Sequence, residues 1–258
     1  MVAVFGVVPA FAQPAPPPVP QSDALSVHEL VVLGDRENAA RRPALALPYY
    51  EKAIALDSNS YVSLWKASRE LVDLGEAADD EARSREYYRR ATLLAKRAVV
   101  VSPHDAEGHF HLSRAIGRMA LSVSARDRVK YALDVRTEAL KALEYDPRHP
   151  GALHIMGVWN AEVMRLNGVL KYIAKKFMGG AVLDSASWAE ATRLLELSVA
   201  IDPDRLVHRL DLARIYRDSG RKKDARAAYQ AALASKLIDA NDDMYRNDAA
   251  RELAALGR

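Results

Sequence analysis

The stretch "DRLVHRLDLARIYRDSGRKKDARAAYQAALA", Asp204 to Ala234, decides how the chain is read. It carries small Ala213, then Tyr216, Gly220, small Ala225, Tyr229 and small Ala232 at spacings that suit two helices turning at Gly220. The helices would meet along the small residues, where a large side chain would force them apart. Just upstream stands "SVAIDPD" at Ser198, and its likes recur as "AIALDSN" at Ala53, "AVVVSPH" at Ala98 and "ALEYDPR" at Ala142. Each is an apolar helix end followed by Asp or Ser and usually by Pro, which has no N–H with which to continue a helix. Stops at such intervals predict stacked helical repeats.

Numbered from Leu206 as a 34-residue unit, the stretch resembles a tetratricopeptide repeat (TPR), whose small positions are 8, 20 and 27. The same register run backwards puts Gly34, Ser68, Ser113, Gly157 and Ala213 at position 8. Position 20 falls on Ala46, Ala91, Val135, Ala191 and Ala225, and position 27 on Ala53, Ala98, Ala142, Ser198 and Ala232. The predicted fold is all-α: a TPR-like right-handed α-α superhelix of about five hairpins over residues 23–258. "DDMYRNDAARELAALG" is its expected C-terminal capping helix. From position 8 to position 20 the first and fifth units span 12 residues, as from Gly34 to Ala46, whereas the central three are longer. Their inserts correspond to about three, three and six helical turns, so helices can lengthen without changing their buried faces.

Composition agrees with a folded, helix-rich chain: of 258 residues, 50% are hydrophobic and 28% charged. The formal net charge is +3 with both signs interspersed, so no nucleic-acid partner is expected. The absence of cysteine excludes disulfides, thiol chemistry and Cys-based metal sites. The start, "MVAVFGVVPAFAQPAPPPVPQ", has an apolar run and Ala10-Phe11-Ala12, the small-x-small pattern of a signal-peptidase site. Residues 1–12 therefore read as a secretory signal and 13–22 as a Pro-rich extended tether, giving a periplasmic or secreted location. A disordered apolar N-terminus is the alternative. The run is too short to span a bilayer of about 30 Å.

Several further stretches, "SLWKASREL", "LAKRAVVVSPHDAEGHFHLSRAIG", "ALEYDPRHPGALHIMGVWNAEV" and "YIAKKFMGG" followed by "WAEATRLLELSVAID", together resemble the regulator of microtubule dynamics family. The likeness runs from about Ser63 to Leu256, and "HIMGVW" and "YIAKKFMG" carry most of its specificity. It implies a TPR-like superhelix without known catalysis. Its animal members are associated with microtubules or with organelle contact sites, where one member's TPR-like domain binds and transfers phospholipid. The signal-like start suggests a bacterial exported relative.

In a TPR array the first helices line the concave face. Position 5 gives Val31, Trp65, Phe110, His154 and Leu210, and position 2 adds Val62 and Val207. Position 9 gives Asp35, Arg69, Arg114, Val158 and Arg214, with Arg217 at position 12 of the last unit. An apolar strip edged by guanidinium groups would suit an apolar peptide with acidic residues or an anionic amphiphile such as a lipid. Equally, Trp65 and Phe110 could pack against the chain's own inserts or C-terminal helix, with the arginines paired to acids such as Glu70 and Glu107. His109 and His111, two apart on a helix, point to different sides and cannot share a metal. His154 reads as a satisfied structural histidine rather than a ligand. No phosphate loop, zinc helix or serine elbow is present, so no catalytic residue, metal or cofactor is expected.

The fourth insert holds "LNGVLKYIAKKFMGG", Leu166 to Gly180. Leu166, Leu170, Ile173, Ala174 and Phe177 share one helical face, while Lys171, Lys175 and Lys176 lie to the other side. Two readings stand: a helix in the plane of an anionic membrane surface, or a lid over the end of the groove, closed by Gly179-Gly180. The main functional expectation is a noncatalytic envelope module holding a protein segment in its groove. The alternative is a lipid-binding or lipid-transfer domain.

Overall fold

The computed structural model describes residues 25–178 and 180–257; the expected signal and tether lie outside them. Thirteen helices are described: α1 (Val27–Ala39), α2 (Pro43–Leu56), α3 (Tyr61–Glu76), α4 (Glu81–Val101), α5 (Ala106–Leu121), α6 (Ala125–Tyr145) and α7 (Pro150–Arg165). They continue with α8 (Gly168–Met178), α9 (Gly180–Asp184), α10 (Trp188–Ile201), α11 (Leu206–Asp218), α12 (Lys222–Ala234) and α13 (Asp242–Ala255). The helix starts are written in the sequence. Ser26 and Glu29 form a reciprocal capping box, Asp80, Asp105 and Ser187 cap α4, α5 and α10 with side-chain oxygens, and Pro150 opens α7. Gly220 turns α11 into α12 with φ +82°.

Five antiparallel pairs follow: α1/α2, α3/α4, α5/α6, α7/α10 and α11/α12. Lengthened α4 and α6 take up the second and third inserts, and α8 with α9 forms the fourth. First helices also touch across repeats, α1 to α3, α3 to α5, α5 to α7 and α7 to α11, so they build the inner wall while second helices form the outer layer.

The register explains the packing. Ser68, Ser113 and Ala213 at position 8, the alanines of position 20 and all five residues of position 27 are fully buried. A Cβ on Gly34 would stand 2.5 Å from the Tyr50 ring, and one on Gly157 would overlap Leu195. Ser113 and Ser198 satisfy their hydroxyls inside the seams, donating to the Val135 carbonyl at 2.9 Å and the Pro150 carbonyl at 2.8 Å. The core continues through three clusters, around Tyr50 and Leu71, around Trp159 and Leu183, and around Leu210 and Tyr229.

The C-terminal end does more than cap α12. It crosses the inner wall and reaches the first hairpin. Arg41, in the α1–α2 turn with φ 60°, donates from Nε to the Asp239 carbonyl at 2.8 Å and pairs with Asp243 at 2.5 Å. A left-handed arginine is unusual, and here the conformation coincides with a contact 198 residues away in sequence. Among the described residues no helix is long and apolar enough to cross a membrane.

Candidate functional site: the inner wall

Three polar clusters lie along the first helices. At the N-terminal end, Lys66 Nζ binds both oxygens of Asp35 at 2.6 Å, and Tyr50 donates to Asp35 at 2.7 Å. Arg69 pairs with Glu70 at 2.8 Å, and Asn38 donates to the same carboxylate at 3.0 Å. The Glu70 side chain has no exposed surface, and burial raises its pKa against the pull of Arg69.

The middle cluster joins α3 and α5 to the C-terminal segment. Arg114 binds Asp73 at 2.5 Å and Arg118 binds Glu76 at 2.6 Å. Asn241 donates to the Asp73 carbonyl and to Glu76, both at 3.0 Å. Tyr245 donates to Glu76 and accepts from Arg118 at 3.1 Å. Burial works to raise the Glu76 pKa, but Arg118 and Arg114 outweigh it and hold the carboxyl below its ordinary value. Burial pushes the Tyr245 hydroxyl well above its ordinary value, keeping it neutral and able to donate.

At the C-terminal end, Glu252 of α13 accepts from Arg214 at 2.6 Å, Arg217 at 2.8 Å and Tyr229 at 2.8 Å. Arg214 also reaches Asp211 at 3.0 Å, and Asp211 bonds His154 at 2.8 Å. His154 stacks on His208, with ring centroids 4.5 Å apart, and His208 contacts the Ser198 hydroxyl at 2.9 Å. Burial first, then the neighbouring His154 and Arg205, hold His208 well below its ordinary pKa.

Between these clusters runs an aromatic ladder. Trp65 stacks on His111 at 5.0 Å, and Phe110 lies 4.7 Å from His111 and 4.6 Å from His149. Glu107 sits near both histidines, 3.4 Å from His111 and 3.6 Å from His149. Burial drags His111 down to about 4, so at neutral pH its ring is an uncharged stacking partner. His109, on another side of α5, contacts Glu138 at 2.6 Å and the Pro103 carbonyl at 2.9 Å.

The residues expected on the groove are thus divided. Val62 is exposed, and Trp65, Phe110, His154 and Val158 are half-buried along the wall. Arg69, Arg114, Arg214 and Arg217 all pair with carboxylates of the chain itself, Arg114 with Asp73 and not with Glu107. Leu210, expected on the apolar strip, is instead sealed in the core with Leu206 and Tyr229 because the C-terminal helix packs on α11 and α12. Sequence reasoning missed Arg41, Asp73, Glu76, Arg118, Asn241, Tyr245 and Glu252. A usable signal was present: Asp248 and Glu252 are one turn apart on the capping helix, complementary to Arg214 and Arg217 on α11.

Helix α8 is seated on α6, with Ala174 in the central core cluster. Lys171, Lys175 and Lys176 are exposed, as are Val169 and Tyr172, and the Lys176 ammonium stands 5.2 Å from the Tyr172 ring centroid. The side chains of Ile173 and Phe177, expected on the apolar face, lie outside the described ones.

This geometry defines an all-α TPR-like superhelix. A thermophilic TPR protein from Thermus thermophilus superposes with a TM-score of 0.64 at 20% identity, covering 88% of this chain and 100% of that one. The chain belongs to the regulator of microtubule dynamics family: the description "Regulator of microtubule dynamics protein 1-3" matches residues 29–257. Regulator of microtubule dynamics protein 3 of Rattus norvegicus is 21% identical over 196 residues, 76% of this chain and 41% of the relative. Regulator of microtubule dynamics protein 1 of Mus musculus is 23% identical over 144 residues, 55% of this chain and 46% of the relative. The chain therefore spans less than half the length of these curated relatives.

Proposed function

We propose that the chain is a noncatalytic scaffold of the cell envelope that holds a protein segment on the open stretch of its inner wall. The observation that carries this is the strip from exposed Val62 through Trp65 to Phe110, at the N-terminal ends of α3 and α5. Asp73, where the C-terminal segment docks, is eleven residues beyond Val62, about 16 Å along the helix. Val62, at the open end of the strip, is thus clear of that segment. Since the arginines already hold internal carboxylates, the strip's contribution is apolar and aromatic contact, with shape rather than charge selecting the bound segment.

The test is affinity capture from the source cells with the native chain and a Val62→Asp variant. Val62 is 41% exposed, so the substitution should leave thermal melting unchanged while removing the captured partners. Retention of the same partners by the folded variant would refute the inner-wall assignment. The envelope location rests on the apolar start with Ala10-Phe11-Ala12. It predicts a mature N-terminus at Gln13 in the periplasmic or secreted fraction.

A second reading is supported by α8, whose exposed Val169 and Tyr172 lie beside three exposed lysines. An anionic lipid surface would take the apolar pair at headgroup depth and neutralise the cations. Co-sedimentation with anionic vesicles should fall for a Lys171→Glu, Lys175→Glu, Lys176→Glu variant. Equal pelleting of both proteins would remove this reading.

A further inference from the structure

On the opposite side of the molecule, α2 and α4 enclose an open groove of about 710 Å³. Ile54, Leu93, Leu94, Val100 and Val101 supply its apolar lining. Helix α4 buries Tyr88, Ala91, Ala95 and Ala98 on one face. At 100° per residue, Leu93 and Val100 lie on the face opposite that buried one. They are 50% and 81% exposed, so the hairpin contact does not explain them. Two exposed apolar side chains two turns apart, beside an apolar trough, mark an interaction surface.

The charges around the groove narrow the occupant. Arg90, Lys96 and Arg97 stand on α4, against Glu51 on α2. Arg90 pairs with Glu51, and Arg97 donates to the Ser58 carbonyl at 2.6 Å, which leaves the lining with a cationic excess. A second copy docked groove to groove would set these cations against themselves, so the self-complementary dimer is disfavoured. A flat lipid surface would touch the crest at Val100 without filling the trough, whose floor is the half-buried pair Ile54 and Leu94. A helix laid between two helices fits such a trough by ridge-into-groove packing.

We propose that the α2–α4 groove docks an amphipathic helix of another protein, with apolar anchors at i, i+3 or i+4, and i+7, and acidic residues along its flank. This site is separate from the inner wall and stands or falls independently of the function proposed for it.

Selection of displayed random peptides on the intact chain, with counter-selection on a Val100→Asp variant, tests the inference. Net-negative peptides carrying the stated apolar spacing are expected. Their affinity should fall at least tenfold for Val100→Asp, fall for Lys96→Glu and weaken with added salt. Because Val100 is 81% exposed, the variant should melt as the native chain does, and an unchanged far-UV circular dichroism spectrum would confirm the fold. No enrichment, enrichment of basic peptides, or equal binding to the Val100→Asp chain would overturn the proposal. So would anionic vesicles that pellet the native chain but not the variant, since the face would then belong to a membrane.

Discussion

His111 shows how one residue can serve both the wall and the stability of the chain. Its ring is buried, stacked on Trp65 and held neutral with a pKa of about 4. An unfolded histidine titrates near 6.5, so between those values the unfolded chain binds more protons than the folded one. Stability from this group is therefore complete above about pH 6.5 and falls as pH drops toward 4, by about 3 kcal/mol. His208, also depressed by burial, acts with the same sign. Urea unfolding at pH 7.5 and 4.5 should show a smaller loss for His111→Phe than for the native chain; an identical loss would mean that His111 does not titrate as described. Gly157 makes a complementary point. Alanine gains about 1 kcal/mol in a helix, yet overpacking a seam costs about 1–3 kcal/mol. Since a Cβ there meets Leu195, Gly157→Ala should lower the urea midpoint, whereas a raised midpoint would show the α7–α10 seam to be looser than described.

At the scale of elements, the hairpins and the capping helix were legible, and the reach of the C-terminal segment across the inner wall was not. Small residues at positions 8, 20 and 27 report local contact between helices close in sequence, so they announce themselves at a fixed period. The bonds of Asn241 and Tyr245 to Glu76 join residues 165 and 169 apart, and no period marks such pairs. The segment behaves as a strap across the inner wall. Tyr245→Phe removes a hydroxyl that serves Glu76 and Arg118, and hydrogen bonds to charged groups are worth about 1.5–3 kcal/mol. That loss should appear in urea unfolding. Truncation after Ser235 should speed amide exchange in the C-terminal halves of α3 and α5, far from the cut. Faster exchange confined to α11 and α12 would mean that the strap does not hold the first repeats.

Across the whole molecule, the repeat register positions everything else. It points Val62, Trp65 and Phe110 to the inner wall, whereas the exposed Leu93 and Val100 of the outer layer emerge only from the structure. What the register could not supply is which charges neutralise one another. Arg69 finds Glu70 one residue away, but Arg114 finds Asp73 from the preceding repeat and Arg214 finds Glu252 from the strap. The expected arginine border is thus internal bracing, and Val62 is the exposed residue beside the aromatic ladder. Because the chain has no cysteine, a Val62→Cys variant can carry a single photo-crosslinker without disturbing other residues. Crosslinking with a partner captured by the native chain is the most direct test of the scaffold function. One discrete segment of that partner should be joined to position 62. Failure to crosslink there, while the same partner crosslinks from single cysteines on the outer helices, would contradict that function.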